Sequence, residues 1–237
     1  MHLLRLHLLR FITGFTLLWQ VSAGAADFKD SMAQRTLACT ACHGAQGKAG
    51  PDGYYPRLAG KPAGYLYNQL VNFREGRRHY TLMEDLVNLL SDAYLREIAE
   101  YFSALDIPYP LPTKNPATEA TLVRGKTLAQ QGNLARGLPS CTQCHGAALT
   151  GVAPNVPGLL GLPRDYLNAQ LGGWQTGQRR AAGPDCMAQV ARKLDATEVN
   201  AVSLWLSLQT VPSPAKAVTQ SPAWPAHTPR MDCGSTP

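Results

Sequence analysis

Apolar positions along the chain recur at helical spacing in several stretches, and nowhere do they alternate with period two over a comparable length. Residues 28–38 read as one helix running into Cys39. Tyr65, Leu66, Gln69, Leu70 and Phe73 mark the face of a second. Ser91 is placed to cap a third helix through Glu100 and beyond, with Leu95, Ile98, Ala99 and Phe102 on one side. Asp195 followed by Glu198 is a capping-box pattern for a last helix to about Ser207. The pattern predicts an all-α fold.

The pattern also repeats. YPRLAGKPAGYLYNQLVNFREGRR (55–78) returns as VPGLLGLPRDYLNAQLGGWQTGQR (156–179). Pro56, Leu58, Gly60, Pro62, Tyr65, Leu66, Gln69, Leu70 and Gly76 align at one constant offset with Pro157, Leu159, Gly161, Pro163, Tyr166, Leu167, Gln170, Leu171 and Gly177, and Phe73 aligns with Trp174. A repeat this regular means one domain, duplicated; two copies are too few for a solenoid, so each needs its own core. The expected division is a leader (1–26), a first domain (27–106), a proline-rich semi-rigid linker (107–118), a second domain (119–212) and a proline-rich tail (213–237) lying extended on the surface.

Composition narrows the class. The 237 residues suffice for two domains of about 100 residues each. Charged residues are only 16%, and 21 Gly and 18 Pro point to a loop-rich fold. The formal net charge is +6 with no Lys/Arg-rich run, which argues against a nucleic-acid partner. No apolar run reaches the ~20 residues of a spanning helix, which excludes a polytopic membrane protein and requires no membrane span. Arg5 and Arg10, the short run FITGFTLLW (11–19) and Ala23-Gly24-Ala25 form a secretory leader cleaved after Ala25 or Ala26, the alternative being a retained anchor. The mature chain is therefore expected outside the cytoplasm, where spare thiols oxidise.

Four of the six cysteines lie in CTACH (39–43) and CTQCH (141–145). This is the C-x-x-C-H haem attachment signature, present twice. Cys39 and Cys42, and likewise Cys141 and Cys144, are spaced to reach two vinyl groups on one porphyrin edge. His43 and His145 then fall beneath the iron. A single zinc shared by the four thiols, a redox dithiol and plain disulfides are the competing readings.

The opposite axial position falls to Met83 and Met187, 40 and 42 residues after His43 and His145 and at equivalent points of the two copies. His79 competes with Met83, and Cys186 with Met187. The remaining cysteine, Cys233, suggests a Cys186–Cys233 disulfide that pins the tail beside the second site. Thioether ligation raises the potential and leaves a six-coordinate iron no vacancy, which suits single-electron transfer. Arg57, Arg78, Arg164 and Arg179 flank these segments as partners for propionates or as solvated surface groups.

CTACHGAQG, CTQCHGAALTG, the two P-x-L-x-G…Y-L-x-x-Q-L stretches, Met83 and Met187, LSDAYLREIAEYFSAL and RGKTLAQQGN together resemble a di-haem class I cytochrome c of the cytochrome c4 type, over about residues 28–212. The resemblance implies two tandem cytochrome c domains related by a pseudo-twofold, with two covalently bound haem c groups meeting at the interface. It implies that the carbonyls of Pro56 and Pro157 orient His43 and His145. It also implies a periplasmic electron carrier between redox partner proteins: donors such as a quinol-oxidising complex or a dehydrogenase, and acceptors such as a terminal oxidase. The alternative is a cytochrome subunit of a periplasmic dehydrogenase, or a di-haem enzyme with one open iron site. The extra cysteine in GPDCMAQ and the long tail depart from that pattern.

Overall fold

The computed structural model describes residues 29–112, 114–220, 222–224 and 230–236; the leader reading falls outside them. The chain folds into short α-helices with one two-stranded hairpin. The first half contains α1 (Met32–Arg35), α2 (Leu37–His43), α3 (Ala63–Arg74), α4 (Thr81–Val87) and α5 (Asp92–Ala104). The second contains α6 (Glu119–Gln130), α7 (Cys141–His145), β1 (Gly151–Val152), β2 (Val156–Pro157), α8 (Arg164–Thr176), α9 (Cys186–Ala191) and α10 (Ala196–Ser207). Among the described residues no helix is long and apolar enough to cross a membrane.

The local signals explain most boundaries. Ser91 accepts from Tyr94 N at 3.3 Å, and α5 buries Leu95, Ile98, Ala99 and Phe102 against α3. At α10 the box closes in both directions: Asp195 Oδ1 accepts from Glu198 N (2.8 Å), and Asp195 N donates to Glu198 Oε2 (3.0 Å). Glu198 is also bonded to Arg136 and Arg124. The arginine bond to Arg136 holds its carboxyl below the usual carboxylate range.

The helix expected over 28–38 is instead two pieces. Thr36 leaves helical geometry at φ −97° and ψ 15°, and its buried hydroxyl donates to Met32 O at 2.7 Å. A threonine hydroxyl that bonds back one turn bends or ends a helix.

In the second half α6 crosses α10 at backbone contact distance, with Gly125 at the crossing. A Cβ there would lie 2.2 Å from Ala201 O and 2.7 Å from Trp205 Cβ. Gly125→Ala is therefore expected to push the helices apart and destabilise the second half by about 1–3 kcal/mol, read as a lower midpoint in chemical unfolding.

Two segments, the linker and the tail, are held by contacts that no local sequence pattern announces. The linker is clamped: Arg57, buried and stacked at 3.9 Å on Tyr109, donates to Ala59 O (2.9 Å), Pro108 O (3.2 Å) and Ile107 O. Arg57 is thus neither a solvated group nor free to pair with a propionate. Arg164 is likewise engaged, by Asn200 Oδ1 at 2.5 Å.

The tail does more than lie on the surface. Val218 bridges Val152, taking Ala153 N on its carbonyl (2.8 Å) and donating to Gly151 O (3.0 Å). Cys233 is disulfide-bonded to Cys186, the pairing expected from the two spare cysteines.

The halves pack face to face. Tyr65 N donates to Pro154 O (3.1 Å) and Lys61 Nζ to Gly158 O (3.0 Å). A short antiparallel pairing joins them, with His79 N on Gln178 O (3.0 Å) and Arg180 N on Arg77 O (2.7 Å). Around it the repeat becomes a symmetric cluster. Arg78 donates to Gln69 Oε1 (3.1 Å) and across to Gln170 Oε1 (2.9 Å). Arg179 donates to Gln170 Oε1 (2.6 Å) and across to Gln69 Oε1 (2.9 Å). Each guanidinium lies over an aromatic ring of its own half, Phe73 or Trp174. The pseudo-twofold axis runs between these pairs.

Candidate functional site

The two C-x-x-C-H motifs occupy equivalent places. In each half a short helix ends at the histidine: α2 at His43, α7 at His145. Both imidazoles are buried, at 6% and 7% exposure. Each Nδ1 lies 2.7 Å from a proline carbonyl, Pro56 O or Pro157 O. A carbonyl only accepts, so Nδ1 carries the proton and Nε2 is left with its lone pair for another partner. Burial lowers both imidazole pKa values, with a smaller opposing effect from the proline carbonyl; Arg78 adds repulsion at His43 and Lys61 at His145. The rings are held neutral, the state in which an imidazole ligates a metal.

The four motif cysteines are unpaired. Burial raises the pKa of Cys39 and Cys144 and pushes the Cys141 thiol up to about 12. A redox dithiol needs the opposite, a thiol made acidic by its surroundings. The shared zinc site also finds no support: among the described residues no three His, Cys, Asp or Glu side chains are grouped to hold a metal ion.

What the motifs share is a cavity of roughly 1380 Å³ running through both halves. That exceeds the roughly 300–1,000 Å³ of an ordinary single-ligand pocket. All four cysteines, both histidines, Met83 and Met187 line it. Its walls are also the cores: in the first half Leu66, Phe73, Val87, Ile98 and Phe102 are at once buried core and cavity lining. A chain whose core residues face so large an apolar space is built to close around a bulky, flat, mostly apolar group.

Met83 sits on α4 beside Phe73, Val87 and Leu95, and Met187 on α9 beside Trp174 and Ala188. Both are half-buried and line the cavity. His79 also lines the cavity, but its side chain is 46% exposed and its Nδ1 lies 3.4 Å from Glu84 Oε1. The Cys186 sulfur is taken by the disulfide, so no thiolate competes with Met187.

Lys61, Gln69 and Gln170 escaped the sequence reading as site residues. Lys61 is 4% exposed, and burial together with Arg57 brings its pKa down to about 8. Lys61, Arg57 and Arg179 are buried cations on the cavity. Glu198, the buried carboxylate among the described residues, does not line it. The recurrence of a polar glutamine on an otherwise apolar helical face was the available signal for Gln69 and Gln170.

An iron porphyrin held by two thioethers fits this donor set: paired thiols, a neutral imidazole one residue on, a thioether on the same cavity wall, a largely apolar lining, and the buried cations Lys61 and Arg179 for its carboxylates.

The comparisons agree. The sequence model of the family described as Cytochrome c matches residues 22–101. The thiosulfate dehydrogenase electron acceptor of Thiomonas intermedia (strain K12) is 38% identical over 184 residues, covering 76% of this chain and 82% of that protein. Cytochrome c4 of Pseudomonas aeruginosa is 32% identical, covering 73% of this chain and 84% of that one. Among solved structures, reduced recombinant cytochrome c4 from Pseudomonas stutzeri superposes with a TM-score of 0.64 at 29% identity, over 77% of this chain and 98% of that chain. The as-isolated thiosulfate dehydrogenase (TsdBA) from Marichromatium purpuratum gives 0.64 at 33% identity over 71% of this chain, which spans 36% of that longer chain.

Twin C-x-x-C-H helices, twin carbonyl-held histidines and a likeness to curated relatives over about three quarters of the chain converge on one assignment: the chain belongs to the cytochrome c4 family and is a two-domain electron-transfer cytochrome carrying two covalently bound haem c groups.

Proposed function

We propose that Cys39 and Cys42 carry the first haem and Cys141 and Cys144 the second, that His43 and Met83 bind the first iron axially and His145 and Met187 the second, and that the domains run over 27–106 and 119–212. The observation that supports this most is the pair of matching 2.7 Å Nδ1–carbonyl contacts at Pro56 and Pro157, each behind its own C-x-x-C-H. When bound, each haem supplies one iron that cycles between the ferric and ferrous states, one electron at a time.

The chain's residues set how that happens. The proline carbonyls fix the tautomer and plane of each imidazole and raise its basicity. The methionine sulfurs are neutral soft donors that favour the ferrous state and raise the potential. Arg78 and Arg179, without a carboxylate partner among the described residues, are placed to receive propionates at the interface and to favour electron uptake. Arg179 already has a lowered pKa, chiefly from burial and then from Arg78, so an anion there relieves both costs.

The carrier works outside the cytoplasm, a reading supported by the Cys186–Cys233 disulfide and the leader-like N-terminus. Its donor is a sulfur-compound-oxidising dehydrogenase and its acceptor a terminal oxidase. The donor assignment draws on the relatives named thiosulfate dehydrogenase electron acceptor and on the likeness to part of a thiosulfate dehydrogenase chain. Those similarities equally favour a second reading, a cytochrome subunit held by such a dehydrogenase. Purification of the native protein from its host separates the two, as a lone chain or as a complex.

The ligand assignment predicts that the ferrous protein keeps two low-spin haems and an unchanged spectrum under carbon monoxide. A high-spin haem that binds the gas would replace the carrier with an enzyme.

A further inference from the structure

We propose that the Cys186–Cys233 disulfide and the tail around it form a strap that holds the Met187 helix shut, so that the sixth position of the second haem opens far more rarely than that of the first. The inference rests on the His/Met assignment above.

The two methionine helices are alike in size and unlike in support. α9 has six residues and α4 seven, too short for either to persist by intrinsic propensity. In the second half, Cys186 opens α9 directly before Met187, and its sulfur is bonded to Cys233 with the Cα atoms 5.4 Å apart. The next tail residue, Gly234, donates its N–H to Pro184 O at 3.0 Å. It approaches so closely that a Cβ there would lie 2.2 Å from Gly183 O. Ser235 O accepts from Asn68 Nδ2 at 3.2 Å, so the same segment is also tied to α3 of the other half. Upstream, Val218 is fixed to β1. Met231, Asp232, Cys233 and Ser235 line the cavity.

Nothing comparable covers α4 among the described residues: its Leu82 and Leu86 are 56% and 47% exposed. The sequence shows how the difference arises. Arg78 is followed by Met83 after five positions, whereas the equivalent Arg179 is followed by Met187 after eight. The longer second segment is the turn that carries Pro184 and Cys186 and receives the tail.

Displacing an axial methionine requires its helix to swing away, and the rate of ligand capture follows the population of that open state. A cross-link closing a loop of 47 residues, docked at both ends, restricts the open state of α9 and leaves α4 untouched. Cyanide binding to the fully ferric protein therefore reads the proposal directly, without electron transfer between the haems. Two phases are expected, the slower by on the order of a hundredfold. Met83→Ala removes the barrier of the fast phase and leaves the slow one in place, which assigns the slow phase to the second haem. In Cys186→Ser/Cys233→Ser, which leaves no thiol to ligate, the slow phase accelerates by a similar factor while the fast phase is unchanged.

Equal rates at the two haems of the unaltered protein overturn the strap, and that comparison needs no variant to fold. A slow phase abolished by Met83→Ala, or unmoved in the double serine variant, overturns it as well. A missing sulfur-to-iron charge-transfer band at the second haem before cyanide is added is a distinguishable failure. It removes the Met187 ligand assignment and the strap with it.

Discussion

Replacing Met187 with alanine is expected to remove the sulfur-to-iron charge-transfer band of the second haem alone, to open that iron to carbon monoxide, and to lower its potential. Met83→Ala is expected to do the same at the first haem. The drop should be on the order of 0.1–0.3 V, a fraction of the ~0.8 V that axial ligand choice spans, because a neutral soft sulfur that favoured the ferrous state is exchanged for water or a vacancy. The independence of the two effects is the informative part. Met83 packs within one half against Phe73, Val87 and Leu95, and Met187 within the other against Trp174 and Ala188, so neither substitution removes packing from the opposite site. If His79→Ala rather than Met83→Ala altered the first spectrum, the ligand would be His79. Its contact with Glu84 and its exposure speak against that outcome.

The second large effect concerns attachment. In Cys141→Ala/Cys144→Ala the haem that survives denaturation should fall from two per chain to one, and the second half should lose its native fold while the first keeps its spectrum. The cavity explains why. Without the haem, buried side chains that line the cavity, Leu162, Leu167, Val202 and Leu206 among them, would face open space instead of an apolar partner. Leu160, Leu162, Val202 and Leu206 form one core cluster with Cys141 packed against it, so that cluster borders the emptied space. Haem staining after denaturing electrophoresis checks the haem count, and the visible and far-ultraviolet spectra of the variant check the kept first haem and the lost helical structure of the second half.

Much of the fold could be read before any coordinates because its determinants are local. Ser91 and the Asp195–Glu198 pair are caps whose hydrogen bonds span three residues, and both close as their spacing implied. The duplication was legible for the same reason: a constant offset needs no third dimension. Thr36 was not, because a hydroxyl that bonds back to Met32 looks like any helical threonine until its backbone is seen.

The long-range part was hidden. Arg57 read as a propionate partner or a solvated surface group, yet the carbonyls that claim it come from residues 107 and 108, far along the chain. Lys61 gave no sign of burial, and its acceptor, Gly158 O, belongs to the other half. The tail was legible as proline-rich, and a Cys186–Cys233 link followed from the two spare thiols. That its described part would pair with β1 and line the cavity depended on contacts no local pattern encodes. The histidine–carbonyl contacts lie between: family resemblance implied them, and the geometry shows them at both sites.

A spectroelectrochemical titration of the purified protein tests the central claim most directly. Two low-spin haems, each taking up one electron at a potential in the range of His/Met ligation and neither gaining a high-spin form in either state, are the predicted result. Uptake of a single electron per chain, or one centre titrating at a markedly lower potential with an open coordination site, would contradict it.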